Sequence, residues 1–245
     1  MSRSSPGRRW ERLLGRLPSS LTVKVPRNHR EADERFARRR RVVAAFSVAG
    51  AGLLGLSLAN RPGSRMFYVG TQAVAGTWTA GGFASGPLHL GWVLDREQAL
   101  RRPVLTPIVT GGCAFAVFYG GALVARHIPV LDDALRRILR FADQGSTPLV
   151  LLTTLANGAA EEVFFRGAVY AAVGVKHPVA VSTAVYTLAT TATRNPALVL
   201  AGGVMGTLFG LQRRASGGIQ APIITHLTWA TLMLRYIPPL FRREE

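Results

Sequence analysis

Charged side chains leave long gaps along this chain. Residues 42–60 (VVAAFSVAGAGLLGLSLAN) run nineteen positions without one, 66–94 run twenty-nine, and 103–125 (PVLTPIVTGGCAFAVFYGGALVA) run twenty-three. Further apolar stretches follow at 147–175, 178–193, 195–212 and 220–234, the last three shorter and more polar. A helix needs about 20 apolar residues to cross the ~30 Å hydrocarbon core of a bilayer, and three or four of these stretches meet that length fully. Gly81-Gly82 and Gly86-Pro87 predict that the second stretch ends as a helix near Ser85. The pattern therefore predicts an all-α, polytopic integral membrane bundle of seven spans, or eight if 86–94 or 128–142 adds an interfacial helix. A soluble helical protein would need a polar outside, which so many uncharged runs argue against. Between the third and fourth stretches, 126–146 sets Val130, Leu131, Leu135, Ile138, Leu139 and Phe141 among charges, the pattern of an amphipathic surface helix.

Charge adds an orientation. The formal net charge is +17, and the first 41 residues hold 13 Lys and Arg against 4 acids, ending in Arg38-Arg39-Arg40-Arg41. Alone, such a tail would suit nucleic acid. Directly before a span it obeys the positive-inside rule instead, and predicts a cytoplasmic N-terminus touching anionic lipid headgroups, with no nucleic-acid partner. The expected organisation is a basic, largely disordered cytoplasmic tail over 1–41 and an integral membrane domain over 42–238, multi-pass in the cell membrane. Seven spans would put the C-terminus outside, whereas Arg235, Arg242 and Arg243 prefer the cytoplasm and favour an even number. The charged region is too long for a signal peptide. The 28 Arg against 2 Lys hint at GC-rich, bacterial coding. A single cysteine, Cys113, excludes a disulfide framework and a thiolate zinc site; mid-span, it reads as a small packed hydrophobe. No repeat, phosphate-binding glycine loop or Gly-x-Ser-x-Gly elbow is present.

One apolar stretch breaks its own rule. Within 147–175 stand Glu161, Glu162 and Arg166, each costing about 2.5 to 3.5 kcal/mol at the centre of a span. Such groups persist when they face a protein interior or a wet cavity, and the default reading is a functional site. On a helix Glu162 and Arg166 are i and i+4 and can pair; Glu161 is turned about 100° away and left free. The alternative is that Asn157-Gly158 breaks the helix, so that the acids merely open a new one. Two other polar landmarks follow: His226 inside QAPIITHLTWATLML, and Thr187, Thr190, Thr191 and Thr193 on one short segment. Such threonines often only bond back to their own helix.

Together these segments resemble the CAAX-protease and bacteriocin-processing (CPBP, or Abi) family of intramembrane endopeptidases, over a core of about 145–238. The first motif, Glu-Glu-x-x-x-Arg, is met by Glu161, Glu162 and Arg166, with Gly167 following. The second, Phe-x-x-x-His, is matched by Tyr186 and Thr190; the third, His-x-x-x-Asn, by His226 and Ala230. Gly206 and Gly210, then Gly217-Gly218 and Ala221-Pro222-Ile223, continue the likeness. The resemblance implies hydrolysis of a membrane-associated peptide or protein by Glu-activated water, with Glu161 as base and His226 as an oxyanion donor. Glu162 and Arg166 would be structural. Thr190 stands where a histidine belongs and Ala230 where an asparagine belongs, so Thr190, Thr191 or Asn195 would have to hold the water. No cofactor is firmly implied; zinc would follow only from the family's metalloprotease label, with Glu161, His226 and Glu162 the available ligands. The second function class left open is a catalytically impaired relative acting as a membrane scaffold. A small transporter is a weaker third.

Overall fold

The computed structural model describes residues 32–94 and 99–242. Most of the expected tail, residues 1–31, lies outside them. The remainder does not behave as a tail: α1 runs from Asp33 to Leu58, so the four-arginine run occupies its early turns. Helix α2 (Arg65–Ala84) begins at Ser64, whose hydroxyl accepts from the Phe67 amide, and ends at Ser85 as the glycines indicate. Helix α3 spans Leu105–Ala125 and α4 spans Pro129–Asp143. The segment 86–94 is not helical. It leads into a two-stranded antiparallel hairpin, β1 (Val93–Leu94) against β2 (Leu100–Arg101).

The charged stretch forms one continuous rod: α5 (Thr147–Glu161), a π-helical segment (Glu162–Val169) and α6 (Tyr170–Val173). Asn157 does not break it, because its amide donates to the Thr153 carbonyl in its own helix and to the Thr71 carbonyl of α2. Helix α7 covers Pro178–Thr190 and passes through a 3-10 turn, Thr191–Thr193, to α8 (Pro196–Ser216). Helix α9 (Gln220–Tyr236) completes the bundle. Three of these rods start with proline in the first turn, where its missing N–H costs nothing.

Small residues let the rods approach. Gly50 and Gly81 lie against Trp78 and Phe46 where α1 and α2 cross antiparallel, and Gly111 of α3 sits on Thr225 and Thr228 of α9. Bonds at the rod ends define two layers. In one, the loop before β1 clamps the α8–α9 turn, with Trp92 N–H donating to Ser216 and the amides of Ile219 and Gln220 donating to His89 and Leu90. In the other, Ser146 N–H donates to the Tyr68 hydroxyl, Asn195 to the Ala134 carbonyl, Arg136 to the Phe241 carbonyl, and Arg242 to Asp143 at 2.7 Å. Traced through these contacts, α1, α2, α3, the α5–α6 rod, α7, α8 and α9 alternate direction. The start of α1 and the end of α9 thus lie in opposite layers.

Two helices among the described residues are long and apolar enough to cross a membrane by composition alone, Asp33–Leu58 and Leu105–Ala125. That is fewer than the three or four expected. The charges of the α5–α6 rod, the brevity of α7 and α9, and the two arginines closing α8 set those rods apart. Their polar groups are supported by packing against one another. Cys113 on α3 is exposed rather than packed.

Candidate active site

The charges of the α5–α6 rod sit where the helix widens. Glu162 and Arg166 are both fully buried, and Arg166 Nη1 donates to Glu162 Oε1 at 3.2 Å. Buried charge at this depth costs several kcal/mol unless paired, and the partners come from three other rods. Tyr186 of α7 and Phe209 of α8 face the guanidinium, its carbon lying 4.4 Å and 5.1 Å from their ring centres. From α9, His226 Nδ1 lies 3.0 Å from the same Glu162 oxygen, while its ring stacks on Phe209 at 4.8 Å. Arg213 of α8 donates through Nε to the Arg166 carbonyl at 2.6 Å. Among the described residues, Glu162 Oε2 and Arg166 Nε and Nη2 have no hydrogen-bond partner. π-Helical segments are rare and frequent at functional sites, and this one holds the charged pair.

Glu161 is not free. Its Oε2 accepts a hydrogen bond from the Tyr186 hydroxyl at 2.6 Å. The ~100° offset from Glu162 holds, but it turns Glu161 towards α7 rather than into open space. Glu161, Glu162 and His226 nonetheless converge, one ligand atom of each lying within 4.8 Å of the others. One water oxygen about 2.8 Å from each of two such groups can bridge that gap. Gly158, one turn before Glu162, lies beside the imidazole, where a Cβ would make ordinary contact 3.5 Å from His226 Nε2.

The residues expected to replace the missing histidine are each bonded to other parts of the protein. Thr190 is buried, but its hydroxyl donates to the Tyr186 carbonyl at 2.8 Å; Thr191 bonds back to Leu188. Asn195 caps α8, accepting from the amides of Ala197 and Leu198, and its amide is used on Ala134. Ala230 lies one turn beyond His226, buried and without a polar group. The group that does reach the first glutamate is Tyr186, present in the sequence only as a variant of the motif phenylalanine. A tyrosine in an apolar helix needs a partner for its hydroxyl, and that need was the available signal. Phe209 and Arg213 carried none.

Two carboxylates and an imidazole are acceptable zinc donors, and three protein ligands is the usual catalytic count. Here, however, the Glu162 oxygen facing His226 already takes the guanidinium, His226 Nδ1 is engaged with it, and Glu161 is tied to Tyr186. A fixed cation on the carboxylate that would have to neutralise the metal opposes binding. The three donors are close enough to share an ion, and the fixed guanidinium of Arg166 is what weighs against one.

Comparison with known proteins finds a match over the segment that carries the site. Residues 143–232 match the family model described as type II CAAX prenyl endopeptidase Rce1-like. This segment is similar to that family, in line with the resemblance its motifs carry. The match takes in Glu161, Glu162, Arg166, Tyr186, Thr190, His226 and Ala230, so the substitutions at 190 and 230 fall inside it. Neither the curated proteins nor the solved structures contain a match. The family match and the two apolar helices support a membrane location.

Proposed function

We propose that this protein is an intramembrane endopeptidase in which Glu161 draws a proton from water and His226 donates to the oxyanion. The convergence of Glu161, Glu162 and His226 within 4.8 Å, inside an Rce1-like segment, carries this reading. Hydroxide formed at Glu161 adds to the peptide carbonyl carbon, and the tetrahedral oxyanion then expels the amine as the C–N bond breaks. Glu161 returns its proton to that amine. In its imidazolium form His226 donates through Nδ1 to Glu162 and through Nε2 to the oxyanion. Tyr186 fixes the Glu161 carboxylate, and the Glu162–Arg166 pair fixes His226. The substrate class is a membrane-associated peptide; the family description adds prenylated peptides as the first to try.

In this reading the alternating rods cross the membrane seven times and the ends of the chain lie on opposite faces. The arginines near the C-terminus favoured an even count, but packing outweighs them. The N-terminal face is cytoplasmic, with the basic tail on anionic headgroups of a bacterial plasma membrane. A reporter fused after Glu245 should therefore signal from outside; a cytoplasmic signal rejects the seven-pass arrangement.

The scaffold reading keeps one observation of its own: Thr190 and Ala230 offer nothing to the site. Cleavage of prenylated and unprenylated membrane peptides by the purified full chain separates the two. Glu161→Gln should lose at least ~100-fold in rate while remaining abundant and folded. His226→Ala should lose ~10²–10³-fold. A wild type that cleaves no such peptide, together with a Thr190→His/Ala230→Asn double variant that gains nothing, overturns the enzyme and leaves the scaffold. Cleavage that a chelator abolishes would overturn the metal-free chemistry.

A further inference from the structure

The layer of rod ends away from the arginine run of α1 holds a cavity of about 380 Å³, separate from the glutamates. It forms where the end of α1, the amphipathic α4 and the start of α8 meet. Its polar side is made by Arg137 and Arg140 of α4 and by Arg194, with Asn60 beside them; its apolar side is Leu58, Ile138 and Phe141. Among the described residues, no acidic one lines it. Arg137 and Arg140 are i and i+3, neighbours on one helix face. Neither donates to any of the carboxylates whose ion pairs bind this layer together, Asp132 and Asp143, which take Arg136 and Arg242. Arg194 projects from a left-handed backbone, φ 53°, a conformation that residues with a β-carbon seldom adopt. It directly precedes Asn195, the cap of α8, so the positive end of a 21-residue helix adds to the same side.

Three guanidinium groups over an apolar floor, at the end of a bundle and beside a surface helix, match an amphiphile with a phosphate at its polar end. Guanidinium pairs with phosphate oxygens in a bidentate fork, and basic pockets between membrane helices take phosphate headgroups. The volume lies within the range of small-ligand sites. We propose that this cavity binds the phosphate headgroup of an anionic phospholipid, with Arg137, Arg140 and Arg194 on the phosphate and Leu58, Ile138 and Phe141 against the start of the acyl chains.

The test uses the full chain, purified in a neutral detergent and stripped of lipid. Retained lipid is counted by native mass spectrometry and Tm is followed with added dioleoyl phosphatidylglycerol, dioleoyl phosphatidylcholine or inorganic phosphate. One phosphatidylglycerol should be retained and should raise Tm, and phosphatidylcholine should bind at least tenfold more weakly. Arg137→Gln with Arg194→Gln should weaken phosphatidylglycerol at least tenfold, since charge-assisted bonds of this kind are worth about tenfold or more each. Arg65→Gln, an exposed arginine in the same layer outside the cavity, should leave it unchanged. All three substitutions are at exposed positions, so loss of folding does not confound them; Arg137→Lys with Arg194→Lys, keeping charge but not the fork, should fall between. Equal retention of the two lipids, equal retention by the double variant, or a Tm rise with inorganic phosphate as large as with the lipid would each overturn the proposal.

Discussion

Helix α3 and the α5–α6 rod are inside out with respect to each other and to a water-soluble protein. Along α3 the large apolar residues face outward, Leu105 being 72% and Val117 71% exposed. In the α5–α6 rod Glu162 and Arg166 are fully enclosed. Water as the surrounding solvent would make both arrangements costly, since it would strand apolar area outside and desolvate charge inside. In hydrocarbon both become reasonable: α3 is wetted by lipid, and the charges must turn to other protein. The same solvent therefore yields a plain helix in one place and a site in the other, and the difference lies in whether a rod carries groups that lipid cannot satisfy.

The largest effect should come from breaking the enclosed charges. Arg166→Ala leaves Glu162 without its guanidinium and removes the cation between Tyr186 and Phe209. Unpairing a buried charge typically costs ~3–5 kcal/mol, so the variant should be scarce in membranes and melt early. Normal abundance and thermal stability would show that the pair is not enclosed. The mirror experiment puts a charge on α3. Val117→Arg, near the middle of that helix, should cost ~2.5–3.5 kcal/mol of insertion while Val117→Leu is silent. A tolerated arginine would mean that this face meets water or protein instead of lipid.

A third contrast uses glycines. A Cβ at Gly206 would lie 3.0 Å from Thr183 Cγ2, 3.2 Å from Tyr186 Cδ1 and 3.3 Å from Arg166 Nη2, whereas Gly112 of α3 has nothing within 4 Å. Gly206→Ala should lose ~1–3 kcal/mol by overpacking, measured as a fall in Tm. Gly112→Ala should be neutral or slightly stabilising, because the same methyl points away from the protein. Equal responses would remove the distinction between enclosed and lipid-facing rods.

These contrasts also explain what could be read in the sequence. α3 was legible end to end, because composition alone decides a lipid-wetted helix. The positions of Glu161, Glu162, Arg166 and His226 stood out for the complementary reason, as polar groups in apolar runs. Their partners did not. Whether Glu161 is free or bonded depends on the register of α7 against the α5–α6 rod, which no local pattern encodes, and so Tyr186 passed as a motif variant. Asn195 had looked available for water, but capping α8 uses its side chain. The segment 86–94, uncharged like a span, became a strap because backbone pairing with the α8–α9 turn satisfies it. That the chain is built of helices followed from the gaps between charges; their alternation, and which ends meet, required the bonds.

The smallest effect is the sharpest test of the site, because it separates the tyrosine's packing from its hydroxyl. Tyr186→Phe keeps the ring under Arg166 and against Phe165, 4.8 Å away, and removes only the bond to Glu161. Stability should change by ~0.5–1.5 kcal/mol, the usual net worth of one hydrogen bond. If Tyr186 positions the base, cleavage should nevertheless slow by about tenfold, with the loss in kcat rather than KM, since the substrate does not need that hydroxyl to bind. The family pairs phenylalanine at this position with histidine one turn later, where this chain has Thr190, packed against Gly202. Thr190→His should therefore make the hydroxyl redundant: Tyr186→Phe would slow the native background yet cost the Thr190→His background little. Equal slowing in both backgrounds would mean that Tyr186 acts on the rod as a whole and not through Glu161.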